Sequence, residues 1–222
     1  MKNWAGCALL ACLLSACGPP RRPTAPAAIP PAPVSGSVPD LAAAIAADAR
    51  RSDHESDSKI RAELAAQASA TAAACLALEP QAASCLYGHA LALGLEARAH
   101  PTRAGDLLTT MLGALTAAEA ADASYDEAGP ARVTALVLIR APGWPLGPGD
   151  AEAGLVAARR AVTLGPQYPP NLLALGEALA KSGDANAAQE SYRRARTLAQ
   201  ELPASEDRDD WLHQAEEALR RH

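Results

Sequence analysis

An all-α fold built from antiparallel helix hairpins is predicted from three features of the chain. Aromatic residues make up only 3% of it and phenylalanine is absent. Its elements must therefore pack through alanine and leucine, which suits close helix-to-helix approach and suits a β-sandwich poorly. Apolar residues recur at helical spacing, and a motif of helix, Gly-Asp or proline break, and second helix returns along the sequence. With 222 residues, 49% of them hydrophobic and 20% charged, the chain has the composition of one globular domain with its own core. The net charge of −5 and the lack of a basic stripe interleaved with aromatics argue against nucleic acid as a partner.

The first segment, 1–16, reads as an export signal. Lys2 precedes an apolar run from about Trp4 to Leu14, too short for the roughly 20 residues that span a bilayer. The run ends in Leu14, Ser15, Ala16 and Cys17. That order resembles a bacterial lipobox, which implies lipidation of Cys17 as the first mature residue. Gly18 after the cysteine implies the periplasmic face of the outer membrane. Residues 17–39 then form a linker: eight prolines fall among the twenty-three residues from Gly18 to Asp40, a composition that cannot bury a core and is expected to be a disordered tether.

The helical domain is expected over 40–222. Helices are predicted at about 40–50, 58–79, 82–98, 103–120, 130–140, 150–165, 169–182, 185–201 and 206–221 from apolar periodicity and end signals. The acidic stretch "RRSDHESDSK" is a solvated boundary between the first two. Pro80 turns the second into the third. Asp150 caps the sixth, and Gly183 and Asp184 stop the seventh and cap the eighth. The last helix carries acids in its first turn and arginines in its last, complementing the helix dipole, and its Trp211, Ala215 and Leu219 face would close the stack.

The repeat is clearest at "NLLALGEALAKSGDANAAQESYRRA", residues 171–195. Leu172, Leu175, Gly176 and Leu179 keep the spacing of a tetratricopeptide first helix, and Ala188, Tyr192 and Ala195 that of its second. Gly176 and Ala188 are expected to face each other where the helices approach most closely. A 34-residue register run backwards from Leu172 places a closing proline at Pro166, where one stands, and reaches Pro142 where a small helical residue belongs. "APGWPLGPGD", residues 141–150, is therefore an insertion. Pro142, Pro145 and Pro148 favour a stiff extended crossing. Trp144 is expected to plug the gap left by the shortened helix, or else to point into a binding surface together with Leu146.

Cys75 and Cys85 lie five residues on either side of Pro80. In a hairpin turning there they stand at equal heights, so a disulfide is expected provided their Cα atoms come within about 7 Å; the alternative is two buried thiols. No catalytic signature is present: the five histidines are scattered outside any metal spacing, and "GPGD" lacks the lysine of a phosphate loop. His89 is expected to be a packed core residue. No enzyme, cofactor or metal is expected.

From Tyr125 to Ala195 the chain resembles the T-component family of periplasmic TRAP transporters. The likeness rests on the "AGPAR" entry from Ala128 to Arg132, the "APGWPLGPGD" loop, and "PQYPPNLLALGEAL" leading into a Gly-Asp hairpin. It implies a lipid-anchored helical-repeat protein without catalysis that associates with a periplasmic solute-binding partner and presents hydrophobic ligands. Arg132 and the loop residues are the binding candidates under that resemblance. An envelope-assembly or pilotin-like adaptor gripping a protein partner, and a carrier of a small hydrophobic ligand, are the competing expectations.

Overall fold

A computed structural model describes residues 35–221. The export signal, Cys17 and the linker up to residue 34 lie outside the described residues. Among the described residues run nine α-helices: α1 (Val38–His54), α2 (Ser58–Leu78), α3 (Ala83–Ala99), α4 (Ala104–Ala121), α5 (Tyr125–Arg140), α6 (Ala151–Leu164), α7 (Pro169–Lys181), α8 (Ala185–Glu201) and α9 (Glu206–Arg221). The fold is all-α. A single 3₁₀ turn, Pro101–Arg103, leads into α4.

The helix ends follow local chemistry. α1 starts at Val38, earlier than its composition suggested: the Ser37 hydroxyl and the Asp40 carboxylate satisfy each other's backbone N–H groups, and Pro39 sits in the first turn where its missing N–H costs nothing. Val38 and Pro39 thus belong to the helix rather than the linker. The carboxylates of Asp57, Asp150 and Asp184 accept from the backbone N–H groups of Lys59, Ala153 and Ala187 at the starts of α2, α6 and α8. Gly183, at φ +89°, supplies the left-handed step that ends α7.

Packing divides the helices into two sets. Each helix neighbours the next in sequence, and in addition α1 lies against α3, α3 against α5, α5 against α7 and α7 against α9. Among the described residues, the backbones of α2, α4, α6 and α8 approach only those of their sequence neighbours, and Arg160 of α6 reaches Glu119 of α4 through an ion pair. The odd helices therefore form one layer and the even helices a layer behind it. Cys75 of α2 and Cys85 of α3 are joined by a disulfide with their Cα atoms 5.3 Å apart, both fully buried beside Leu41.

In the α7–α8 hairpin Leu172, Leu179, Ala188, Tyr192 and Ala195 are buried, Leu175 partly so, and Trp211, Ala218 and Leu219 of α9 pack over them. The nearest neighbour of Gly176 is the ring of Tyr192 rather than Ala188; a Cβ at Gly176 would overlap that ring. The small residue makes room for the aromatic one. Gly154 of α6 plays the same part against Ile139 of α5.

The segment 141–150 departs from expectation. It does not cross in extended form. Gly149 N–H donates to the Pro142 carbonyl at 2.9 Å, Leu146 N–H to the Gly143 carbonyl at 3.1 Å, and Asp150 N–H to the Leu138 carbonyl at 2.9 Å, which folds the segment back into a compact loop containing a cis Trp144–Pro145 bond. Glycines at 147 and 149 let its two arms touch where prolines alone would hold them straight: a Cβ at either position would lie 2.8 Å from the Pro142 carbonyl oxygen. Trp144 plugs nothing; it is 91% exposed. α5 and α6 already meet through Ile139 and Gly154, so there is no gap for an indole to fill.

Candidate functional site

The residue that organises the middle of the domain is Arg132. It was expected at a binding surface, yet it is 7% exposed and fully engaged. Its guanidinium donates to the Asp126 carboxylate at 2.6 Å, to the Asn171 side-chain oxygen at 3.0 Å and to the backbone carbonyls of Asp126 and Glu127 at 3.1 and 3.2 Å. It also lies over the Tyr168 ring at 5.0 Å. The Asp126 carboxylate in turn accepts from the Tyr87 hydroxyl at 2.9 Å.

This network explains an unusual piece of backbone. Asp126, Glu127 and Ala128 all have positive φ, between 51° and 66°. Each such step costs a residue with a Cβ roughly 1–2 kcal/mol. The turn is held because Arg132 takes two of its carbonyls and the Asn171 amide takes the Glu127 carbonyl at 2.8 Å. Gly129 follows it because a Cβ there would lie 2.8 Å from both the Asp126 carboxylate and the Tyr87 ring. The regular right-handed part of α5 comes after the turn, matching the start expected near residue 130. Burial raises the Tyr87 and Tyr168 hydroxyl pKa values above the ordinary tyrosine range, so both stay neutral donors at physiological pH.

Three clefts open around this network, walled mainly by the odd helices, with Tyr192 of α8 entering the first and Leu108 and Met111 of α4 the third. One of about 480 Å³ has Arg132, Leu136, Arg140, Glu177 and Gln214 in its walls. A second of about 320 Å³ is lined by Tyr87, Tyr125, Tyr168, Trp211 and the carboxylates of Asp126 and Asp207. A third of about 470 Å³ has an apolar floor of Leu91, Leu95, Leu108, Met111, Val133 and Val137 and reaches Pro142 at the foot of the loop. Their walls are shared: Arg132 and Trp211 serve the first and second, Leu136 and Arg140 the first and third, Leu91 and Val133 the second and third.

Ion pairs fix the rim. Arg140 grips Glu177 through two hydrogen bonds of 2.8 and 2.6 Å, which push the Arg140 pKa further up, and Arg98 meets Asp53 at 2.9 Å. His54 of α1 meets Asp210 of α9 at 3.2 Å, so the first and last helices touch across the odd layer. His89 is half-buried rather than a packed core residue, and the loss of hydration lowers its pKa. Among the described residues no group of three metal-type ligands comes together, and no helix is long and apolar enough to cross a membrane.

The sequence candidates thus separate. Leu172, Leu175, Gly176, Leu179, Ala188 and Ala195 are packing residues, while Tyr192 packs and also borders the first cleft. Arg132 is a strut beneath two clefts, Pro142 edges the third, and Trp144, Pro145 and Leu146 stand exposed beside it, with Pro148 half-buried. Sequence reasoning missed Asp126, Asn171 and Tyr87, which lie as far as 45 residues from the arginine they serve. It also missed the contribution of α1 and α9 to the clefts. The "AGPAR" run was the one local signal, and it pointed to Arg132 without indicating its partners. No protein-family model matches the chain, and no curated protein matches it.

Proposed function

We propose that this protein is a non-catalytic, lipid-anchored component of the bacterial envelope, facing the periplasm from the outer membrane through Cys17, that binds a protein partner. Its helices act as tetratricopeptide-like hairpin repeats, and the odd-helix layer is the concave working face of a short α-solenoid. The carrying observation is that the three clefts share walls on the odd helices, with charged pairs at the rim above apolar floors. Such a surface suits an extended peptide segment: backbone polar groups meet Glu177, Gln214 and the carboxylates, and side chains enter the apolar parts. The resemblance of residues 125–195 to the TRAP T-component family nominates a periplasmic solute-binding protein as the partner. An envelope-assembly or pilotin-like adaptor would use the same face on a different client.

A second reading is supported by one observation of its own. The apolar cleft beside Pro142 has the size and lining of a small hydrophobic ligand site, which suits a carrier. Cofactors, metals and nucleic acid have no part in either reading.

Crosslinking in intact cells, followed by identification of what co-purifies, tests the proposal. Recovery of a solute-binding protein is the expected result. Recovery of assembly machinery alone would overturn the transporter assignment, and a bound lipid-like molecule with no protein would favour the carrier. Cys17→Ala should release the chain from membranes; unchanged attachment would refute lipidation.

A further inference from the structure

We propose that the 141–149 loop is a second membrane contact, a rigid wedge that seats Trp144 and Leu146 in the headgroup region of a bilayer. The inference rests on the lipid-anchored reading above. Trp144 is 91% and Leu146 76% exposed, the two most exposed large hydrophobic residues among those described. Residues 141–149 carry no charge. An uncharged surface bearing an outward tryptophan is the composition found at membrane–water interfaces, where the indole has an apolar body and a polar N–H.

Much of the loop's backbone N–H inventory is already met within the protein. Entering a less aqueous environment is costly for backbone groups without partners. Pro142, Pro145 and Pro148 have no N–H, and the amides of Leu146, Gly147, Gly149 and Asp150 already donate to carbonyls of the loop or of α5. The loop is also backed by protein: a Cβ at Gly105, in the first turn of α4, would lie 2.9 Å from the Leu146 carbonyl. Arg103, exposed and two residues before Gly105, adds a positive charge in the segment that backs the loop, which favours anionic headgroups.

Reach does not restrict which face meets the membrane. The twenty residues from Gly18 to Ser37 span at most about 70 Å, against a diameter of about 40 Å for a domain of this size. The surface chemistry is left to choose the face. Two side chains bind a bilayer weakly on their own, but a domain already anchored meets it at an effective concentration on the order of mM, where weak contact suffices.

The test uses the full chain on vesicles of phosphatidylethanolamine and phosphatidylglycerol with brominated acyl chains. Flotation reports the anchor, and the emission lost in Trp144→Ala relative to the parent isolates the Trp144 signal from Trp211, the other tryptophan of the mature chain beginning at Cys17. Expected is a floating protein whose Trp144 emission is blue-shifted, quenched by brominated lipid and shielded from acrylamide in water. A floating protein with Trp144 open to acrylamide and untouched by brominated lipid overturns the wedge and leaves the anchor standing. A protein that does not float removes the anchor and the wedge with it. On the same vesicles, Trp144 shielded from acrylamide yet unquenched by brominated lipid would mean that protein and not lipid covers the indole, and would likewise overturn the proposal.

Discussion

Arg132 shows how one side chain can fix a stretch of backbone and a surface at once. Its charge is buried and matched by Asp126, so removing it leaves that carboxylate with only the Tyr87 hydroxyl and the three left-handed residues with only the Asn171 amide to hold them. Arg132→Leu should cost about 1.5–3 kcal/mol of stability by urea denaturation, and a loss under about 1 kcal/mol would mean the network contributes little. Asp48 makes the opposite case. One of its carboxylate oxygens is buried with no hydrogen-bond partner, and loss of hydration raises its pKa despite the opposing pull of Arg51. A raised folded pKa means that stability is fully present below the ordinary aspartate pKa near 3.9 and is lost as pH rises through the folded value. Asp48→Asn should therefore stabilise the protein at pH 7, with the gain shrinking as pH falls toward 4. Thermal melts across that range check it, and a gain independent of pH would contradict it.

At the level of helices, the hairpins are held by close approach and by one covalent link. Gly176→Ala pushes a methyl into the Tyr192 ring and should destabilise by about 1–3 kcal/mol. Tyr192→Leu in the same chain should recover part of that loss, and additive effects would mean the two residues do not meet. The Cys75–Cys85 bridge closes a short loop and should contribute about 2–3 kcal/mol, read as the difference between melts of the oxidised protein and of Cys75→Ser/Cys85→Ser. These helices were legible in the sequence because their signals are local: Asp150 and Gly183–Asp184 mark ends by capping chemistry, and Leu172 to Ala195 mark faces by spacing. The 141–150 loop was located but its shape was misjudged. Proline spacing suggested extension, whereas the intervening glycines decide the path by letting the arms touch.

Taken as a whole, the domain brings together residues that no sequence window contains. Asp53 and His54 of α1 meet Arg98 of α3 and Asp210 of α9, and Trp211 of α9 lines clefts with Arg132 of α5. The candidate site was therefore largely hidden in the sequence: its apolar floor is indistinguishable from core in an alanine-leucine chain, and its walls come from alternate helices spread over the domain. The spacing of apolar residues gave the reason to expect packed hairpins; only the fold says which side chains line the clefts between them. On the proposed function the clefts, and not the outer side of the even helices, hold the partner. The most direct measurement places a photo-crosslinking residue at Leu136 or Gln214 in the clefts, or at exposed Glu190 on α8, and maps adducts in intact cells by mass spectrometry. Expected is one protein partner joined through the same short segment from both cleft positions and not from Glu190. Crosslinks to that partner from Glu190 with none from Leu136 or Gln214 would contradict it.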